Sequence, residues 1–293
     1  MAASLQYSVH HYGTHELQRV GIWDVDAVGD KAKFWIVYIH GGAWRDPRIA
    51  HETFAPIITR IVDSDSAAKT CVVGFASIDY RLSPHPEFPQ DRATTPPDRF
   101  RGAVHPDHLH DVRAGIAFLQ RRYGFRSQYV LVGHSCGACL AYQVLAGSAV
   151  LGSSANPDGA AELELPKAVF GFEGIYDMTG INARMGGGYS GFLEAAFGTP
   201  EKWDAAAPMK CAGSYGDVLA GRVAVLGHSP DDELVDMPET DGMAARLEKD
   251  GVADVLVVKD LTGKHDEIWQ DGSGVARTIL RILETLQDRE SKS

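Results

Sequence analysis

The chain has 293 residues, 44% hydrophobic and 23% charged, with 28 Lys and Arg against 39 Asp and Glu for a formal net charge of −11. That composition suits a globular protein with a large core, and its acidity argues against docking on nucleic acid or an anionic membrane. Apolar runs such as FWIVYI fall far short of the roughly 20 residues of a spanning helix, no basic-then-apolar leader is visible, and four cysteines (Cys71, Cys136, Cys139, Cys211) make no disulfide framework, so a reducing cytoplasm is expected.

In chain order, a strand pair is expected near QRVGIWDVD (18–26). FWIVYIH (34–40) reads as a buried strand that runs into a glycine turn, HGGAW (40–44). HETFAPIITRIV (51–62) reads as a helix and CVVGFASIDY (71–80) as a second strand. HPDHLHDVRAGIAFLQRRYG (105–124) has apolar residues at helical spacing and stops at Gly124. YVLVG (129–133) is a strand and CGACLAYQVLAG (136–147) a helix. AVFGFEG (168–174), RVAVLGH (222–228) and DVLVVKD (254–260) are further strands, with helices at about 237–249 and 274–287. Apolar strands alternating with helices predict an α/β fold, a mostly parallel sheet covered on both faces, in one domain. The least regular stretch is 177–220, where RMGGGYSGF suggests a lid-like, mobile excursion over a site.

GHSCGAC (133–139) holds two competing motifs. C-x-x-C would make Cys136 and Cys139 a redox pair. G-x-S-x-G would make Ser135 a nucleophile on a sharp strand-to-helix turn, where Gly133 and Gly137 relieve crowding. The strand before and the helix after favour the serine; the cysteines read as small core residues. A serine hydroxyl needs a base, an acid that orients the base, and donors for the oxyanion. His265, in a turn after the last strand, is the base candidate. Asp232 is preferred over its neighbour Asp231 as the acid, in the loop after RVAVL. The chain order Ser, Asp, His fits this arrangement. Gly41 and Gly42 of HGGAW, with the N–H of Cys136, are the oxyanion candidates. Trp44 is expected as a substrate-binding wall, ahead of Phe172, Tyr176 and Trp269. His134 reads as a packing residue. HPDHLHD (105–111) places His108 and Asp111 on one helix face, but no ligand set completes a metal site, and a solvated helix start is the plainer reading. No metal and no cofactor are expected.

HGGAW, GHSCG, HSPDDEL and GKHDE together resemble the α/β-hydrolase superfamily over nearly the whole chain. DYRLSPHPEFP (79–89) looks like a segment of hormone-sensitive-lipase-like esterases. HGGAW with FEGIYDM (172–178) and HSPDDEL is similar to the kynurenine formamidases. That resemblance implies an α/β-hydrolase fold and a serine hydrolase that cleaves N-formyl-L-kynurenine to L-kynurenine and formate. It implies Ser135, Asp232 and His265 as the triad, Gly41 and Gly42 at the oxyanion, and a small-molecule substrate. Two alternatives stay open: a carboxylesterase acting on short acyl esters, and a non-catalytic ligand-binding hydrolase fold. A homodimer also stays open. For the substrate's amino-acid end Arg45, Glu173 and Arg184 are candidates with no motif behind them.

Overall fold

Strands β1 (Leu5–His11), β2 (Arg19–Val25), β3 (Phe34–Ile39), β4 (Val72–Ile78), β5 (Tyr129–His134), β6 (Ala168–Phe172), β7 (Val223–Gly227) and β8 (Val255–Val258) form one sheet in the order β1-β2-β4-β3-β5-β6-β7-β8. The structure, a computed structural model, describes residues 5–25, 33–151 and 163–291. The pairs β1–β2 and β2–β4 are antiparallel, and every pair from β4 to β8 is parallel. Of the strand pair expected near 18–26 only β2 lies there; its antiparallel partner β1 lies earlier, at Leu5–His11, and forms the edge.

Every residue of β3, β5, β6 and β7 is buried, so these strands carry apolar residues on both sides. On one face, helices α1 (Ala55–Asp63) and α7 (Ser273–Glu290) bring Ile57, Ile61, Ile279 and Leu283 against Ile36, Val130 and Phe170. On the other, α2 (Asp107–Tyr123) and α3 (Cys136–Ala146) set Val112, Ile116, Leu140 and Val144 against Val37, Leu131 and Val169. Helix α3 is buried all round from Cys136 to Leu145, the pattern of a core helix. Each fully buried Leu, Ile or Val there adds roughly 1.5–3 kcal/mol.

The irregular stretch folds into α4 (Met178–Arg184), α5 (Ser190–Phe197) and a short turn at Trp203–Ala206. Phe192, Leu193, Phe197 and Trp203 are buried in the same core as α2 and α3. The glycines tie α4 to α5, with Gly186 at φ 63° and Gly187 at φ 84°. Helix α6 (Met237–Lys249) follows the loop after β7. Among the described residues, no helix is long and apolar enough to cross a membrane.

Two further sequence motifs explain each other. Arg81 of DYRLSP donates from Nε and Nη2 to Asp111 of HPDHLHD, both at 2.8 Å. Ser83 and His108 hydrogen bond at 3.0 Å between Oγ and Nε2. His108 and Asp111 are each only 1% exposed, which corrects their reading as a solvated helix start. They serve as internal partners for the turn after β4.

Candidate active site

Ser135 stands between β5 and α3 with φ 55° and ψ −123°, a conformation that costs a non-glycine residue about 1–3 kcal/mol. The turn is possible only because its neighbours lack side chains. A Cβ on Gly133 would lie 2.4 Å from the Gly137 carbonyl oxygen, and one on Gly137 would lie 2.2 Å from that of Ile39. The loops after β7 and β8 come to the same edge of the sheet, the carboxyl ends of its parallel strands, where open α/β sheets hold their ligands. His265 Nδ1 lies 2.8 Å from Asp232 Oδ2. A carboxylate can only accept, so Nδ1 carries the proton and Nε2 keeps a free lone pair. Asp232 Oδ1 accepts from the N–H groups of Leu234 (2.8 Å) and Val235 (2.9 Å), and its side chain is fully buried. Asp231 is exposed. Ser229 Oγ donates to the Gly263 carbonyl (2.7 Å), and the His265 N–H donates to Glu233 (3.2 Å), so the two loops are laced together.

Ser135 and His265 line one cavity of about 460 Å³, with Gly42, Arg45, Ile175, Tyr189 and Phe192 among its other walls. The HGGAW strap crosses above Ser135. Gly42, Ala43 and Trp44 have φ of 94°, 49° and 58°, so two non-glycine residues are held left-handed in succession. A Cβ on Gly41 would lie 3.2 Å from that of Ser135 and 2.8 Å from His134 Nδ1. On the buried side, Tyr80 Oη donates to the carbonyls of His40 (3.1 Å) and Gly41 (3.2 Å), and His40 Nδ1 donates to that of Gly41 (2.8 Å). In a planar trans peptide C=O and N–H point opposite ways, so the Gly42 N–H is turned away from Tyr80 and toward the cavity. The Ser135 carbonyl accepts from Ala138 (3.0 Å) and Cys139 (3.3 Å) within the helix. By the same reasoning the Cys136 N–H faces out of the helix start.

Cys136 and Cys139 are not joined by a disulfide, and both are buried. Burial pushes the Cys136 thiol up to about 11 and Cys139 well up also, opposite to what a reactive pair needs. Cys136 Sγ instead accepts the Trp44 N–H at 3.3 Å and tethers the strap. Trp44 itself is fully buried and packs edge-on against Phe197 at 4.9 Å between ring centres. It does not line the cavity; Phe192, 6.1 Å from it, does. The expected substrate wall is therefore one layer further back, because the left-handed turn at Trp44 drives its ring into the core. Phe172 and Tyr176 are also fully buried.

His134 and Glu173 sit closer to the centre than their local sequence suggests. His134 Nε2 donates to the His265 carbonyl (3.1 Å), and the two rings lie 4.6 Å apart. Glu173, completely buried at φ 50°, places Oε2 at 3.3 Å from His134 Nε2 and 3.6 Å from His265 Nδ1. Burial first, then the charges of Asp232, Glu233 and Asp266, pushes its carboxyl up to about 10. It is a neutral acid in the native protein near neutral pH. His134, Glu173 and His265 offer ligand atoms within 4.8 Å of one another. Asp232 and the His265 carbonyl already engage the imidazole nitrogens facing that space, so a cation would have to displace both.

A serine on a strained turn after the central strand, with an acid and a histidine from the loops after β7 and β8, defines an α/β-hydrolase. The fold matches that of esterase B from Lactobacillus rhamnosis with a TM-score of 0.69 at 13% identity, covering 100% of this chain and 89% of that one. The chain is 37% identical to a kynurenine formamidase-like hydrolase of Fusarium equiseti, over 87% of this chain and 84% of that protein. It is 36% identical to a kynurenine formamidase of Aspergillus versicolor, over 83% and 86%. No protein-family model matches. The chain belongs to the kynurenine formamidase family of hydrolases.

Proposed function

We propose that the chain hydrolyses N-formyl-L-kynurenine to L-kynurenine and formate, with Ser135 as nucleophile, His265 as base and Asp232 as the acid that orients it. The observation that carries this reading is the Asp232–His265 hydrogen bond opening onto the cavity of a strained Ser135, in a chain of this family. His265 Nε2 takes the Ser135 hydroxyl proton as Oγ bonds to the formyl carbon. The carbonyl electron pair moves to oxygen, and the N–H groups of Gly42 and Cys136, with Gly41 beside them, receive the oxyanion. His265 returns the proton to the aryl nitrogen as the C–N bond breaks. Water then attacks the formyl-serine, gives its proton to His265, and formate leaves with Ser135 restored. An aryl amine departs more readily than an alkyl amine because its lone pair delocalises into the ring. Tyr189 and Phe192 are the aromatic walls suited to that ring, and Trp44 supports Phe192 from behind.

The fold neighbours are esterases, so an acyl-ester hydrolase is the second reading. The two separate on acyl length. A formyl-sized subsite excludes larger acyl groups, and each unaccommodated methylene changes kcat/KM by about 10- to 200-fold. N-formyl-L-kynurenine is expected to exceed p-nitrophenyl acetate in kcat/KM, and the acetate to exceed the butyrate. Faster turnover of the butyrate ester than of formylkynurenine would overturn the formamidase reading and favour the esterase.

A further inference from the structure

Arg45 directly follows the HGGAW strap. The left-handed turn that sends Trp44 into the core leaves Arg45 at the mouth of the cavity that holds Ser135 and His265. It also lines a second cavity of about 410 Å³, and His85 is a wall of both. Its guanidinium lies over the Phe192 ring, 5.7 Å from the ring centre. Among the described residues no hydrogen bond or ion pair engages it; Asp46 and Glu87 act on it only through space. The other arginine in the wall is neutralised. Arg48 donates from Nε to Asp46 Oδ1 at 2.9 Å and from Nη2 to Asp46 Oδ2 at 2.7 Å, which occupies both oxygens of that carboxylate. The remaining acid, Asp266, accepts from Trp269 Nε1 at 3.1 Å. Arg45 is thus the one arginine of this wall with its donor fork uncommitted, in a protein whose net charge is −11. A planar guanidinium held on an aromatic face, partly withdrawn from water, matches a carboxylate through two parallel hydrogen bonds.

Resting on the proposed formamidase activity, we infer that Arg45 is a specificity residue that binds a carboxylate on the substrate, remote from the formyl group, while the aryl ring lies against Phe192. The substrate class is then aryl formamides that carry a carboxylate side arm. The contact exists in both the ground state and the transition state, so its loss falls on KM more than on kcat.

The test is a matched pair of substrates, N-formyl-L-kynurenine and N-formylkynuramine, which lacks only the carboxylate. The unmodified protein is expected to prefer the first in kcat/KM. Arg45→Met is expected to shrink that preference by about 10- to 100-fold, through KM, the order lost when a charged hydrogen-bonded pair is removed. Arg45→Lys, which keeps the charge without the fork, is expected to fall between. If the unmodified protein does not distinguish the pair, or if Arg45→Met lowers both substrates by one factor, the carboxylate site is overturned and the formamidase reading stands. If p-nitrophenyl acetate is hydrolysed and neither formamide is, the formamidase reading fails and takes the carboxylate site with it.

Discussion

Ser135, Asp232 and His265 come from three loops that are far apart in the chain and adjacent in space. Their motifs are short and local, so residue type and spacing are enough to propose them as candidates. Asp232 rather than Asp231 faces His265 because Asp232 also accepts the N–H groups of Leu234 and Val235, and that pins its carboxylate inward. Ser135→Ala is expected to lower kcat by about 10⁴- to 10⁶-fold with the fold intact, read by turnover beside circular dichroism. Asp232→Asn should lower kcat by about 10⁴-fold, because an amide stabilises neither the tautomer nor the imidazolium, and Asp231→Asn should leave it nearly unchanged. Equal losses in the two variants would count against the assignment. Glu173 and His134 are not legible as neighbours of His265, since nothing in their local sequence announces a contact across three strands. Nor is the inward turn of Trp44, which depends on a backbone sign that residue type does not report. Glu173 also has a consequence for stability. Its carboxyl is held near 10 in the native protein against 4.5 as the ordinary value, so the native state keeps a proton that the unfolded chain releases. Its contribution is fully present below about pH 4.5 and is lost as pH rises toward 10. Glu173→Gln removes this dependence. The Tm of the variant relative to the parent should therefore increase between about pH 5 and about pH 9, and a flat difference would show that Glu173 is ionised in the native state.

At the scale of elements, the strap and the elbow are one device. Tyr80 holds the carbonyls of His40 and Gly41 from below, Cys136 holds the Trp44 N–H, and the Trp44 carbonyl accepts from Ser83 at 2.9 Å. These tethers offset the strain of two left-handed residues. Tyr80→Phe keeps the ring and removes the donor. With the strap's N–H groups receiving the oxyanion as proposed, the loss should appear in kcat, by about 10- to 100-fold, with KM little changed and Tm a few degrees lower. A change confined to KM would mean that the strap contacts substrate rather than oxyanion. Most strands and helices are legible to within a few residues, since buried parallel strands are apolar throughout and helices α2 and α3 end at Gly124 and Gly147. Strand β1 is not, because an edge strand is polar on its open side, and its burial alternates without a strong apolar signal. Helices α4 and α5 are not, because each is short and glycines separate them.

For the whole molecule, the mostly parallel sheet follows from alternation of strand and helix, whereas the strand order, with β4 between β2 and β3, and the antiparallel edge do not. Apart from the sharp turn at Ser135, no sequence pattern conveys where the backbone is strained. Among the described residues five non-glycine residues have positive φ; Ala43, Trp44, Ser135 and Glu173 lie at the site, and Arg126 lies elsewhere. They come from the ends of three neighbouring strands, β3, β5 and β6, and each conformation is held by contacts from the next strand. Such a site is a poor reporter of the rest of the molecule. Mild urea need only loosen the strand ends for these four residues to relax, while the sheet behind them stays closed. Activity should therefore vanish at a lower urea concentration than the far-ultraviolet signal of the sheet and helices. In the interval between the two curves the protein would be folded, inactive and recoverable on dilution.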